Sequence, residues 1–269
     1  MPLAVCATPI GNLDDVSLRV LAELREADFV LCEDTRRTRI LLDRHGISAR
    51  LVSYHRHNEA ARERDVLGAL ERGERVALVS DAGLPGVNDP GARLIEAALA
   101  AGLPVTVLPG ASAVETALVA SGLGADRYQF VGYLPRRRGE REAFADELAR
   151  WPHAVVAFES PQRLPESLAL LARAMPYRAG AVCRELTKRF EEVRRGTLAE
   201  LAAEFAELPR GEITLVLGPA EPVDAAAAEE AGLAAVAELV AAGAPRRAAA
   251  DVVARLTGAT RNALYRGSL

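Results

Sequence analysis

Short apolar runs alternate with amphipathic stretches all through residues 1–122, and three of the joining loops are rich in Gly or Pro. Such regular alternation predicts an α/β domain on a largely parallel sheet. The unit at 75–102 is the clearest. Arg75 to Val79 reads as a buried strand, and Ser80 to Gly91 as its loop. Asp89 then suits an N-cap and Pro90 a first helical residue. Leu94, Ile95, Ala98 and Leu99 form the apolar stripe of the helix, which Gly102 closes. Open parallel sheets bind ligands at such places, at the carboxyl ends of strands.

The chemistry of that loop restricts the ligand. It carries Asp81 and Asp89 and no cation, so it disfavours a triphosphate. A carboxylate at a strand end suits ribose hydroxyls or a cationic group, and Gly83 and Gly86 let backbone approach a flat ligand. A purely structural loop fits the same residues equally well. Two further strand-end loops have the same character, Thr8 to Asp15 and Pro109 to Ala113. Three such loops on one sheet make a shared ligand site the stronger reading.

From Gly122 to Arg127 the pattern lapses, which predicts domains over 1–122 and 123–219. The second half begins with a strand at Gln129 to Tyr133 and an Arg-rich loop at Pro135 to Gly139. A strand at Ala154 to Phe158 and a helix with Leu168, Leu171 and Met175 follow. Ala181 to Val193 reads as two strands joined by a polar turn. A helix at Leu198 to Leu208 and a strand at Glu212 to Leu217 complete this half. Pro219 to Ala228 reads as a linker. Residues 229–269 form an Ala-rich helical tail, either a helix-turn-helix around Gly258 or a helical cap.

The 269 residues carry a net charge of −4, which opposes a generic nucleic-acid coat. Local Arg clusters stand out: Arg36-Arg37-Thr38-Arg39, Arg136-Arg137-Arg138, Arg194-Arg195 and Arg246-Arg247. Lys188 is the only lysine. Cys6, Cys32 and Cys183 lie in strand-like runs and lack zinc or disulfide spacing, so they are expected as core thiols. The scattered His residues complete no metal site, and no metal is expected. The start lacks a basic, apolar leader, and no run reaches the length of a membrane span, so the expected location is the cytoplasm.

Several motifs occur together and in order: Ala7-Thr8-Pro9-Ile10-Gly11-Asn12-Leu13, Cys32-Glu33-Asp34-Thr35-Arg36, Val79-Ser80-Asp81-Ala82-Gly83 and Asn88-Asp89-Pro90-Gly91. Leu108-Pro109-Gly110, Phe158-Glu159-Ser160-Pro161, Arg184-Glu185-Leu186-Thr187-Lys188 and Gly211-Glu212-Ile213-Thr214 follow. In these the chain resembles the tetrapyrrole methylase superfamily, specifically its branch that methylates small-subunit ribosomal RNA. The resemblance covers nearly the whole chain. That branch usually has Thr where Leu84 stands and often Pro where Ala111 stands.

The resemblance implies two α/β domains with S-adenosylmethionine bent in the cleft between them. It implies methyl transfer to the ribose 2′-hydroxyl of a cytidine in the decoding region of 16S rRNA, within the small ribosomal subunit, by a homodimer. Carried over by motif, the cofactor residues are Ile10, Gly11, Asp81, Gly83, Leu84, Ser112, Ala113, Phe158, Glu159, Glu212 and Ile213. Lys188 and Glu185 are the expected catalytic pair. On an extended segment Arg184 and Lys188 would share a face, with Glu185 opposite. Lys188 is either a general base, its pKa lowered by Arg184, or a phosphate contact. Arg36, Arg136, Arg137, Arg138, Arg163 and Arg184 are expected to contact substrate RNA. Methylation of a small tetrapyrrole or corrin is the nearest alternative. A regulator binding DNA through its tail is the more distant one.

Overall fold

The computed structural model describes residues 3–124, 126–220, 225–257 and 260–268. Two compact units divide the chain, Met1–Pro219 and Ala220–Leu269.

The first unit holds two five-stranded sheets. Strands β1 (Leu3–Cys6), β2 (Phe29–Cys32), β3 (Leu51–Ser53), β4 (Val76–Val79) and β5 (Val105–Leu108) build the first. Their order is β3-β2-β4-β1-β5, and every pair is parallel. The inner strands β2, β4 and β1 are buried on both faces and continuously apolar, whereas the edge strands β3 and β5 are part-exposed and carry Ser53 and Thr106. Alternate residues serve opposite layers. Ala4, Cys6, Ala77 and Val79 pack with helices α1 (Leu18–Glu26) and α2 (Thr35–Arg44). Leu3, Val5, Val76 and Leu78 pack with α3 (Glu59–Glu71) and α4 (Ala92–Ala100).

Helix α5 (Ala113–Ser121) follows β5 but packs on the second sheet. That sheet contains β6 (Tyr128–Tyr133), β7 (Ala154–Glu159), β8 (Ala179–Arg184), β9 (Glu192–Thr197) and β10 (Ile213–Leu217), in the order β6-β7-β10-β8-β9. Only β6 and β7 run parallel. On one face Val114 and Ala117 of α5 meet Val156, Ala181, Cys183 and Val216, joined by Ile10 from the first sheet's loop. Helices α6 (Arg138–Ala149), α7 (Leu164–Ala174) and α8 (Leu198–Glu204) cover the other face, where Leu164, Leu168 and Leu198 are fully buried. Arg195 Nε donates to Ser121 O at 2.9 Å, tying α5 to β9.

Several boundaries differ from the sequence expectation. Helix α4 starts at Ala92 rather than after Asp89. Gly91 is its N-cap at φ +125°, where a Cβ would come within 2.8 Å of Leu78 Cδ2. Leu99 leaves the stripe and stands 59% exposed. Helix α8 ends at Glu204 instead of Leu208, because Phe205 turns inward to the core. The 181–193 segment does form two antiparallel strands, and all three cysteines are buried in strands as expected. Burial pushes the Cys6 thiol up to about 12, with Glu23 adding to the effect.

The second unit comprises α9 (Ala225–Ala241), α10 (Arg246–Thr257) and α11 (Arg261–Gly267). Val236, Ala249, Ala250, Val253 and Leu264 form its core. The alanine run starts the first helix inside the expected linker, consistent with alanine's high helix propensity. The proposed turn residues Gly258 and Ala259 lie outside the described residues, as does Ala125 of the expected domain joint. No described helix is long and apolar enough to cross a membrane.

Truncating Leu168 to Ala removes a fully buried side chain and should cost about 2–5 kcal/mol of stability in urea unfolding. Val119→Ser, at an 81% exposed position, should change it by less than about 0.5 kcal/mol.

Candidate functional site

The loop after β1 and the loop after β4 are stitched together. Thr8 N–H donates to Gly83 O at 2.8 Å, and Gly83 N–H returns a bond to Thr8 O at 3.0 Å. The Thr8 hydroxyl adds a bond to Ser80 O at 3.0 Å. Gly83 sits at φ +79°, a conformation that favours glycine. This pairing sets Pro9 to Gly11 beside Ser80 to Ala82 as walls of a cleft of about 260 Å³. Arg37, Ile40 and Leu41 line it from α2, and Lys188 and Glu212 from the second sheet. Ile10, Gly11, Asp81, Lys188 and Glu212 therefore line one cleft.

Two loops meet at Gly11. A Cβ there would lie 2.5 Å from Lys188 Cγ and 2.7 Å from both Leu186 O and Thr187 Oγ1. Asn12 N–H donates to Thr187 Oγ1 at 2.9 Å beside this contact. The 185–191 loop that presses on Gly11 is unusual in its backbone. Glu185 and Thr187 both adopt positive φ, at 53° and 63°. Strand β8 stops at Arg184, so the extended segment expected through Lys188 does not exist.

That turn reverses the expected arrangement of Glu185. Its carboxylate lies beside Lys188 rather than opposite, and Lys188 Nζ donates to Glu185 Oε1 at 2.9 Å and to Glu212 Oε2 at 2.8 Å. Glu185 Oε1 also accepts the Glu212 N–H at 2.9 Å. Burial alone would lower the Lys188 pKa, but the bonds from Glu212 and Glu185 outweigh it and hold the ammonium above its ordinary value. The expected lowering by Arg184 does not occur. The Arg184 guanidinium is bound to Glu192 at 2.8 Å and to Arg210 O at 3.2 Å.

The other expected residues are distributed differently. Gly83 forms the backbone bridge. Leu84 is partly buried against the core cluster of α3 and α4 and is not among the residues lining the cleft. Ser112 Oγ donates to Glu115, and Ala113 opens α5 against the second sheet. Phe158 packs edge-on to Phe130 at 5.0 Å. Ile213 is buried in the core. The Glu159 carboxylate is 2% exposed as a residue and fully engaged: it accepts Ser160 N–H at 2.7 Å and Ser167 Oγ at 2.6 Å and pairs with Arg163 at 2.5 Å. Arg163 also donates to Leu134 O and Pro135 O, so its guanidinium is occupied in holding the fold. Arg36, Arg136, Arg137 and Arg138 are exposed; Arg36 pairs with Asp34, Arg137 with Glu140 and Arg138 with Glu142.

The structure also engages residues outside the expected set of site residues. Asp34 caps α2 by accepting Arg36 N–H at 2.9 Å, and its own N–H donates to Asp81 Oδ1 at 3.1 Å. Arg37 reaches Asp81 Oδ2 at 3.5 Å. The Asp34-Thr35 start of α2 was the available signal for this cap. Burial, with the charges of Glu33 and Asp81, pushes the Asp89 carboxyl up to about 6 against the pull of Arg56. Tyr133 is 60% exposed and packs edge-on to Phe158 at 5.5 Å. No group of three or more His, Cys, Asp or Glu among the described residues is placed to hold a metal.

An open α/β cleft walled by Gly/Pro loops defines a small-ligand site where two sheets meet. Residues 2–202 match the model of the tetrapyrrole (corrin/porphyrin) methylases, and the chain belongs to that family. It is 46% identical to a Mesorhizobium japonicum protein called ribosomal RNA small subunit methyltransferase I, over 98% of this chain and 90% of that one. A Neisseria meningitidis protein of the same name is 40% identical over 98% of this chain and 91% of its own. Among solved structures, the methyltransferase CobJ matches with a TM-score of 0.62 at 25% identity, over 81% of this chain and 94% of that one. Diphthine synthase matches in fold, with a TM-score of 0.60 at 16% identity, over 81% and 90% of the two chains.

Gly11→Ala should displace the 186–188 loop. Binding of S-adenosylmethionine, measured by calorimetry, is expected to weaken at least about 10-fold while the far-UV spectrum stays unchanged, since a misplacement of about 1 Å is enough to spoil a positioned site.

Proposed function

We propose that this methylase transfers a methyl group from S-adenosylmethionine to the 2′-hydroxyl of a cytidine in the decoding region of 16S rRNA. Its partners are then the small ribosomal subunit and a second copy of itself, in the cytoplasm. Residues 1–122 and 123–219 act as two lobes around the cleft. The observation that carries the reading is that cleft. Its Gly/Pro loops bear a carboxylate and no cation, and the sole lysine of the chain stands at its rim. The names of the relatives support rRNA as the substrate.

The residues present fit the cofactor. Asp81 accepts the Asp34 N–H at 3.1 Å and makes a loose pair with Arg37 at 3.5 Å, and it keeps lone pairs for hydroxyl or ammonium groups. Ile10, Ile40 and Leu41 give an apolar wall for a purine, and the backbone of Pro9 to Gly11 supplies polar groups. When bound, S-adenosylmethionine supplies a methyl already activated by its sulfonium. What remains for the protein is mainly to place the acceptor in line. Lys188 serves this as a charged donor to substrate phosphate, and the proton of the acceptor hydroxyl leaves to water. A general base needs a pKa near the working pH, and the two carboxylates drive Lys188 the other way. Glu185 and the Glu212 side chain hold the ammonium in position.

A transfer assay with labelled cofactor tests both points. Label is expected in rRNA of small subunits, in a linkage stable to alkali, and not in uroporphyrinogen. Lys188→Arg keeps the cation and should retain turnover within about 10-fold, whereas Lys188→Ala should lose about 100-fold or more. Labelled uroporphyrinogen with unlabelled rRNA overturns the substrate assignment. Loss of all turnover in Lys188→Arg, with cofactor binding intact, restores the base role.

A further inference from the structure

Beside the cofactor cleft lies a second, wider groove of about 710 Å³. Its walls are the loop after β1, from Gly11 to Asp14, and the tip of the 185–191 loop, with Arg44 of α2 at one side. Gly11, Leu13 and Lys188 line both spaces, so the groove runs directly into the cleft. Three cations line it. Arg44 is paired with Asp14 at 2.8 and 3.0 Å and Lys188 with Glu185 and Glu212, which leaves Arg189 as the cation without a carboxylate partner. Arg189 makes no ion pair among the described residues.

Next to Arg189 stands Phe190, 66% exposed. Its ring joins none of the hydrophobic clusters among the described residues, so core packing does not account for it. The Arg189 guanidinium lies 5.5 Å from the ring centroid. Yet the loop that presents this ring is firmly held. Glu191 accepts Thr187 N–H at 2.6 Å, Glu191 N–H donates to Lys188 O at 3.1 Å, and Thr187 Oγ1 accepts Asn12 N–H. Two left-handed non-glycine residues are tolerated to shape it.

We propose that this loop tip is a stacking platform for unpaired RNA. In this assignment the Phe190 ring stacks on a base flanking the target nucleotide, while Arg189 and Arg44 take backbone phosphates along the groove. An exposed aromatic beside a cation suits a base with a free face, as in single strands and loops, and not a paired duplex. The shared wall at Gly11 and Lys188 then brings the next ribose to the cleft. The proposal rests on RNA being the substrate and adds which residues seat it and in what form.

The test uses the full chain and an unpaired RNA oligonucleotide of decoding-region sequence. Trp151 is the sole tryptophan, so Phe190→Trp in a Trp151→Phe background places one reporter at the tip. Saturating RNA should quench its emission, and S-adenosylmethionine alone should not. Phe190→Ala should weaken RNA binding about 10-fold and leave cofactor affinity unchanged. Arg189→Gln should lower the slope of log affinity against log salt by about 1. Unquenched emission at RNA saturation, or parent-like RNA affinity in Phe190→Ala, overturns the platform. A parent chain that methylates RNA normally while Phe190→Ala matches it removes only the platform. A parent chain that binds neither this RNA nor the small ribosomal subunit overturns the substrate assignment as well.

Discussion

The site depends on one close approach, the backbone of Gly11 against the 186–188 loop. No side chain fits between them, since a Cβ would meet Lys188, Leu186 O and Thr187 at 2.5–2.7 Å. The neighbouring Asn12 N–H bond to Thr187 fixes the register of the two loops. One loop follows the first sheet's β1, and the other joins β8 to β9 of the second. Their contact turns two separate sheets into one cleft with a lysine at its rim. Helix α5 reinforces the union from below, because it follows a strand of the first sheet and buries its apolar side on the second.

Electrostatics at the rim serve position more than stability. Lys188 is about a quarter exposed, and its partner Glu212 is 65% exposed. Pairs of this kind contribute little to folding. They do keep the ammonium charged and aimed, and Glu185 couples it to the start of β10 through the Glu212 N–H. The buried Glu159–Arg163 pair is the opposite case. Its carboxylate is enclosed and both groups are multiply hydrogen-bonded, so it braces the end of β7.

Most of the fold was legible because the strands of the first sheet are short and mainly apolar, and the loops after β1, β4 and β5 carry Gly or Pro. Buried parallel strands leave that mark on a sequence. The meeting of Ile10, Gly11 and Asp81 was legible because loops at the carboxyl ends of parallel strands share one edge, whereas Lys188 and Glu212 come from the antiparallel part of the second sheet and were named through motif resemblance alone. What escaped was local backbone. Nothing in Arg184 to Lys188 signals that Glu185 and Thr187 turn left-handed, so an even spacing placed Glu185 on the wrong side of Lys188. Pairings also escaped, because Arg163 and Arg184 look like free cations until Glu159 and Glu192 are found within reach. Leu84 stands in a ligand-like loop, yet its apolar side chain follows the core.

The central claim is that residues 8–13, 80–83 and 185–188 form one cofactor-binding cleft. Amide hydrogen exchange with and without S-adenosylmethionine tests it most directly. The account predicts slowed exchange in all three segments together on cofactor addition, with the 229–269 tail unchanged. Protection confined to one segment, or located in the tail, would contradict it.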